Sequence, residues 1–151
     1  MRLMMLCLSG LLLLGACKKK TNCDAPDTTA PASEVTQLES YLNANGLTAV
    51  KDSRGFYYDL QIPGGSKPDN CSTVKVNYQG RLTNGSVFDN GTGASFPLAN
   101  LITGWKQGIP LVGKGGKIVL YLPPSLGYGS QAQQGIPANS ILIFTIELVD
   151  F

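Results

Sequence analysis

The feature that most limits the fold is the way glycine and proline cut the chain into short apolar runs. Eighteen glycines and nine prolines stand among 151 residues. The runs between them repeat every two residues more often than every three or four. Near the C-terminal end, Leu142, Phe144, Ile146 and Leu148 alternate with Ile141, Ile143, Thr145 and Glu147. Successive side chains of a strand point to opposite faces, so the first set is expected to face a core. This predicts a strand over 140–149. Val74, Val76 and Tyr78 predict another over 72–79. Further strands are predicted over 55–62 and 116–122, closed by Pro63-Gly64-Gly65 and by Pro123-Pro124. Asn84-Gly85 is a hairpin signal leading into Val87-Phe88. Only two stretches read as helix. One runs from Ser33 as cap to Asn45, with Gly46 as its stop and Val35, Leu38, Tyr41 and Leu42 on one face. The other is a short helix around Trp105. No internal repeat is visible, and no linker divides residues 55–151. The expected fold is α+β: an antiparallel sheet around a short helix, preceded by an N-terminal helix.

Length and composition suit one domain with a modest core. Hydrophobic residues make up 43% and charged residues 15%, which reads as globular rather than disordered. The formal net charge is +2, so no broad nucleic-acid field is implied. From Asp24 onward there are eight Lys or Arg against ten Asp or Glu, so that part is slightly acidic. Histidine is absent. Ser-His and Cys-His nucleophilic systems therefore cannot be built, and most zinc sites lose their commonest ligand. No metal and no cofactor is implied.

The first residues read as an address. Arg2 precedes an apolar run from Leu3 to Ala16, too short to span a bilayer as a mature helix but suited to a secretory signal. It ends in Leu14-Gly15-Ala16-Cys17, which resembles the lipobox of bacterial lipoproteins. The resemblance implies a signal peptide over 1–16, acylation of Cys17 and a stable membrane hold through more than one acyl chain. Lys18 in place of Asp implies the outer membrane of the cell envelope. The alternative is an ordinary cleaved signal with an incidental cysteine. Residues 17–32, rich in Lys, Thr, Ala, Pro and Asp, read as a tether, and 33–54 as the N-terminal helix with a linker. The Lys18-Lys19-Lys20 run reads as a solvated linker that can also meet anionic head groups. Cys7 would leave with the signal. Cys23 and Cys71 then remain in an oxidising compartment, where a disulfide between them is expected. Two free thiols are the alternative.

Two chemical look-alikes fail on inspection. Gly108 to Lys114 matches most of a phosphate-binding loop. However, Gly115 stands where a Ser or Thr should hold magnesium, Pro110 interrupts it, and no helix pattern follows. The ten carboxylates show no spacing that singles out a pair for glycoside chemistry.

Four blocks carry a more specific pattern. They are VNYQGRLTNGSVFD over 76–89, FPLANLITGW over 96–105, GGKIVLYLPPSLGYG over 115–129 and GIPANSILIFTIELVDF over 135–151. In order and spacing they resemble the FKBP-type peptidyl-prolyl cis/trans isomerases, with residues 55–151 as the isomerase domain. The resemblance places a proline pocket on Tyr78, Phe88, Asp89, Leu101, Ile102, Trp105, Tyr128, Ile136 and Phe144. It implies catalytic roles for Asp89, Tyr128 and Tyr78, and substrate binding by the other six. It also implies proline-containing polypeptide clients, which the leader places in the envelope; a monomer is expected, and no run pairs basic residues with aromatics as a nucleic-acid partner would need. Such a pocket suits the chemistry. Prolyl isomerisation crosses a barrier of roughly 18–20 kcal/mol set by amide resonance, and no bond to carbon is broken. An apolar cleft takes the amide out of water, where its twisted, less polar form is relatively favoured. The alternative use of the same cleft is a non-catalytic proline-peptide binding module or chaperone. Two features depart from the family pattern. No arginine follows Asp89 in Asn90 to Ser95, and residues 129–134 after Tyr128 lack the histidine of some members.

Overall fold

The structure, a computed structural model, describes residues 23–151. The signal segment 1–16, the lysine run and Cys17 lie outside the described residues. In chain order the elements are α1 (Ala32–Ala44), β1 (Val50–Lys51), β2 (Tyr57–Ile62), β3 (Thr73–Arg81), β4 (Val87–Pro97), α2 (Thr103–Gly108), β5 (Lys117–Leu122) and β6 (Leu142–Asp150). Short 3₁₀ turns precede and follow α2, and a third follows β5. One six-stranded sheet has the order β1-β2-β5-β6-β3-β4, and every pair is antiparallel. Every expected strand is present, within a residue or two at its ends.

Each face of the sheet carries one helix. The main core gathers Val74, Val76, Ile118, Leu120, Leu122, Leu142, Ile146 and Leu148 against Trp105 and Ile109 from the α2 segment. Burying such aliphatic side chains contributes about 1.5–3 kcal/mol each. On the opposite face, Leu38 and Leu42 of α1 pack on Tyr57, Val119, Tyr121 and Ile143. Ile143 was expected on the solvent side of β6. It is buried because α1 lies over that face, so both registers of β6 carry apolar residues.

The helix α1 starts two residues earlier than its composition suggests. Pro31 is the N-cap, with φ already at −57°, and no side chain caps the helix. The Pro31 carbonyl accepts from the Glu34 and Val35 N–H groups, so Ser33 is left inside the first turn. The C-terminal stop is as expected. Gly46 has φ +62°, its N–H donates to the Asn43 carbonyl, and the Leu47 N–H reaches back to the Leu42 carbonyl. These are the two hydrogen bonds of a Schellman stop, whose left-handed residue favours glycine. The β3–β4 hairpin turns at Asn84-Gly85, where Gly85 has φ +86° and Leu82 and Ser86 close the turn.

The segment before α1 lies along the domain. Cys23 and Cys71 are joined in a disulfide. Ala30 is buried, and its N–H donates to the Arg54 carbonyl at 2.9 Å. Among the described residues no helix is long and apolar enough to cross a membrane. The glycine-rich stretch that mimics a phosphate loop spans the last residue of α2, the 3₁₀ turn after it and the loop into β5.

Candidate functional site

Four elements converge on one cleft of about 270 Å³. Strand β3 contributes Tyr78, β4 contributes Asp89 and Phe96, and β6 contributes Phe144. The connection from β4 into α2 contributes Asn100, Leu101 and Ile102, α2 contributes Trp105, and the loop after β5 contributes Tyr128. The local sequence explains the placement. Tyr78 and Phe144 belong to neighbouring strands β3 and β6, with Tyr78 opposite Ile146 in the register. Ile102 is the N-cap of α2, and its carbonyl accepts from the Trp105 and Lys106 N–H groups. That first turn swings the indole under the sheet. The Ile102 N–H precedes the helix and lies outside its ladder.

Trp105 is the floor. Its ring meets Tyr78 at 5.2 Å, Phe144 at 5.3 Å and Phe96 at 6.3 Å between centroids, with interplanar angles of 83–88°. These edge-to-face contacts match the quadrupoles of the rings and give roughly 0.5–1.5 kcal/mol each beyond area burial. Phe88 packs edge-on against Phe144 from behind. Gly80 makes this possible, since a Cβ there would lie 2.6 Å from the Phe88 ring and 2.9 Å from that of Phe144. The indole N–H of Trp105 is buried and has no partner among the described residues. An unpaired buried donor costs about 1–3 kcal/mol.

Polar groups sit at the rim. The Tyr78 hydroxyl donates to Asp89 Oδ2 at 2.8 Å. Burial, and then the Asp89 carboxylate beside it, push the Tyr78 phenol up to about 12. Tyr78 therefore stays a neutral donor across the physiological range. Asp89 is exposed, and Tyr128 stands 38% exposed at the mouth, free to reach a ligand. The described residues contain no group of three metal-ligating side chains. The arrangement is an apolar, aromatic slot with hydrogen-bonding groups on its edge, which suits holding a small ring while an attached amide turns.

Comparison with known proteins agrees with this geometry. The family model for FKBP-type peptidyl-prolyl cis-trans isomerase matches residues 64–149. The chain belongs to this family. It is 40% identical over 132 residues to the FKBP-type peptidyl-prolyl cis-trans isomerase FkpA of Escherichia coli strain K12, covering 84% of this chain and 47% of that protein. The crystal structure of FkpA from Escherichia coli matches with a TM-score of 0.69 at 37% identity, over 79% of this chain and 59% of that one. The 1.6 Å crystal structure of a peptidyl-prolyl cis-trans isomerase from Pseudomonas syringae also matches with a TM-score of 0.69. It does so at 29% identity, over 82% of this chain and 97% of that one. The chain spans about half the length of the curated FkpA relatives it matches.

The FKBP resemblance read from the sequence named nine pocket residues. Seven of them, Tyr78, Asp89, Leu101, Ile102, Trp105, Tyr128 and Phe144, line the cleft. Phe88 and Ile136 stand behind it. Ile136 is buried and pairs with Gln133 through both backbone hydrogen bonds, which ties down the loop after Tyr128. Phe96 and Asn100 line the cleft and were not foreseen. Phe96 lies on the same face of β4 as Ala94, which alternation could have suggested. Asn100 ends the short 3₁₀ turn before α2 and left no periodic signal.

Proposed function

We propose that the chain is a peptidyl-prolyl cis/trans isomerase acting on X-Pro bonds of polypeptides in the cell envelope. The observation that carries this is the Trp105 floor walled edge-on by Tyr78, Phe96 and Phe144, with Tyr78–Asp89 and Tyr128 at the rim. The proline ring would stack in the slot, and the Tyr128 hydroxyl and the Ile102 N–H would bind substrate carbonyls. Isomerisation needs the C–N bond to lose double-bond character. The planar amide is more dipolar than the twisted one, so removing it from water favours the twist. Asp89 would add to this, because its negative charge opposes the negative charge that resonance places on the carbonyl oxygen. The oxygen sheds part of that charge as the bond turns. The Tyr78 hydroxyl holds the carboxylate in place.

The leader supports a lipid-anchored location. Cys17 would be acylated after removal of 1–16, and Lys18 would direct the protein to the outer membrane. Fatty-acid labelling should mark the wild type and not a Cys17→Ser variant, and an unlabelled wild type would remove the anchor from this reading. The enzymatic reading is tested by protease-coupled hydrolysis of X-Pro peptides with the full chain. Acceleration should be greatest with an apolar residue before proline, since Leu101, Ile102 and the aromatics line the site. The second reading is a peptide-binding module or chaperone, and it is favoured by the lack of an arginine beside Asp89. No acceleration of any X-Pro peptide, with saturable binding, would select it.

A further inference from the structure

We propose that Gln107, together with the strap of residues 23–30, is a positioning brace for the pocket floor. This rests on the isomerase reading for its readout but not for its geometry. The helix α2 has only six residues, so most of its carbonyls lack a partner inside it. Two of the last ones are bonded from outside. Arg54 Nη2 donates to the Gln107 carbonyl at 3.3 Å. In the amide orientation that satisfies both of its groups, Asn70 donates to the Lys106 carbonyl at 2.8 Å and accepts from the Ala25 N–H at 3.1 Å.

The Gln107 side chain completes the link. It is 1% exposed, two residues after Trp105, and its Nε2 donates to the carbonyls of Pro26 and Thr28, each at 2.9 Å. Both N–H groups of this buried amide are thus bonded by the strap, while its Oε1 has no partner among the described residues. The strap is itself fixed at both ends. Cys23 is bonded to Cys71, beside Asn70, and Ala30 docks its side chain in the core and its N–H on Arg54. Arg54 is held in turn by two hydrogen bonds to the Asp52 carboxylate. A segment whose composition resembles a tether thus grips the helix that carries the indole. Gln107 touches neither the cleft nor its contents, so it acts through Trp105.

The test uses Gln107→Leu in the full chain, which keeps the volume and removes both donors. Trp105 is the chain's single tryptophan, so its emission and acrylamide quenching report the floor directly. The control is Leu42→Ala, which opens a cavity under α1 on the opposite face of the sheet. The brace predicts a loss in kcat/KM on the order of tenfold for Gln107→Leu, with altered Trp105 emission and easier quenching. Leu42→Ala should lower Tm at least as much while kcat/KM and emission stay at wild-type values. If both variants lose activity in proportion to Tm, or if Gln107→Leu keeps wild-type emission and quenching, the brace is refuted. Should Gln107→Leu fail to fold, the half-buried Asn70→Ala, which cuts the Lys106–Ala25 link, is judged by the same outcomes. A wild type without isomerase activity refutes the proposed function alone, because the Trp105 measurements need no turnover.

Discussion

Replacing Asp89 by alanine separates the hydrogen bond its carboxylate makes from the catalytic contribution proposed for it. The first is structural. The Tyr78 hydroxyl donates to Asp89 at 2.8 Å, and a hydrogen bond to a charged group is worth about 1.5–3 kcal/mol. Asp89 is exposed, however, and water can replace it on the freed hydroxyl at the cleft mouth. The loss in folding stability should therefore fall to about 1 kcal/mol or less. The second is catalytic. If the carbonyl oxygen sheds about 0.4 of a charge as the amide twists, about 5 Å from the carboxylate at an effective dielectric of about 20, the Coulomb difference is about 1.3 kcal/mol. That is roughly tenfold in rate. Asp89→Ala should thus lose about tenfold in kcat/KM in the protease-coupled assay, with a small change in urea midpoint. Asp89→Asn keeps an acceptor for Tyr78 and removes the charge, so it should lose nearly as much. An Asp89→Ala protein that folds normally and keeps full activity would remove Asp89 from the mechanism. An active Asp89→Asn would show that the carboxylate acts by holding Tyr78, not by its charge.

Tyr128→Phe should remove the hydrogen bond proposed to substrate and lower kcat/KM by up to about tenfold, with thermal stability unchanged because the side chain is exposed. An unchanged rate would take the hydroxyl out of substrate binding. Exchanging Cys71 for serine opens a loop of sequence separation 48 and should lower the unfolding free energy by up to about 4 kcal/mol. Two alkylatable thiols in the folded, unreduced wild type would contradict the disulfide. The Tyr78 phenol is raised to about 12 in the folded state from an unfolded value near 10. Between those values the unfolded chain has released the proton that the folded one keeps. This part of the stability is therefore present below pH 10 and lost as pH rises towards 12. Tyr78→Phe should flatten that alkaline fall, and a fall as steep as in the wild type would place the titration elsewhere.

Alternation and turn chemistry made most of the sheet legible in the sequence, because the longer strands commit one face to the core, whereas the two-residue β1 is exposed on both faces and was not read. Ile143 shows the limit of that reading. Its burial depends on α1 lying over the second face, a packing that β6 itself does not encode. The first turn of α1 was misjudged for a local reason. Serine is the usual cap, but Pro31, with its fixed φ and a carbonyl that accepts from the Glu34 and Val35 N–H groups, already serves two residues earlier. Most of the cleft was visible through the family blocks, whereas Phe96 and Asn100 were not carried over. The strap was the least legible part. Its hold on α2 runs through the Pro26 and Thr28 carbonyls, and backbone acceptors leave no trace in composition.

The central claim is that the aromatic cleft turns over X-Pro bonds and does more than hold them. Two-dimensional NMR exchange on a single X-Pro peptide, with the full chain present at a small fraction of the peptide concentration, tests it in one sample. The account predicts cis–trans exchange peaks that appear at substoichiometric protein, grow in proportion to it, and vanish with Trp105→Ala. Peptide shifts that saturate with added protein while the cis–trans exchange rate stays at its uncatalysed value would contradict it.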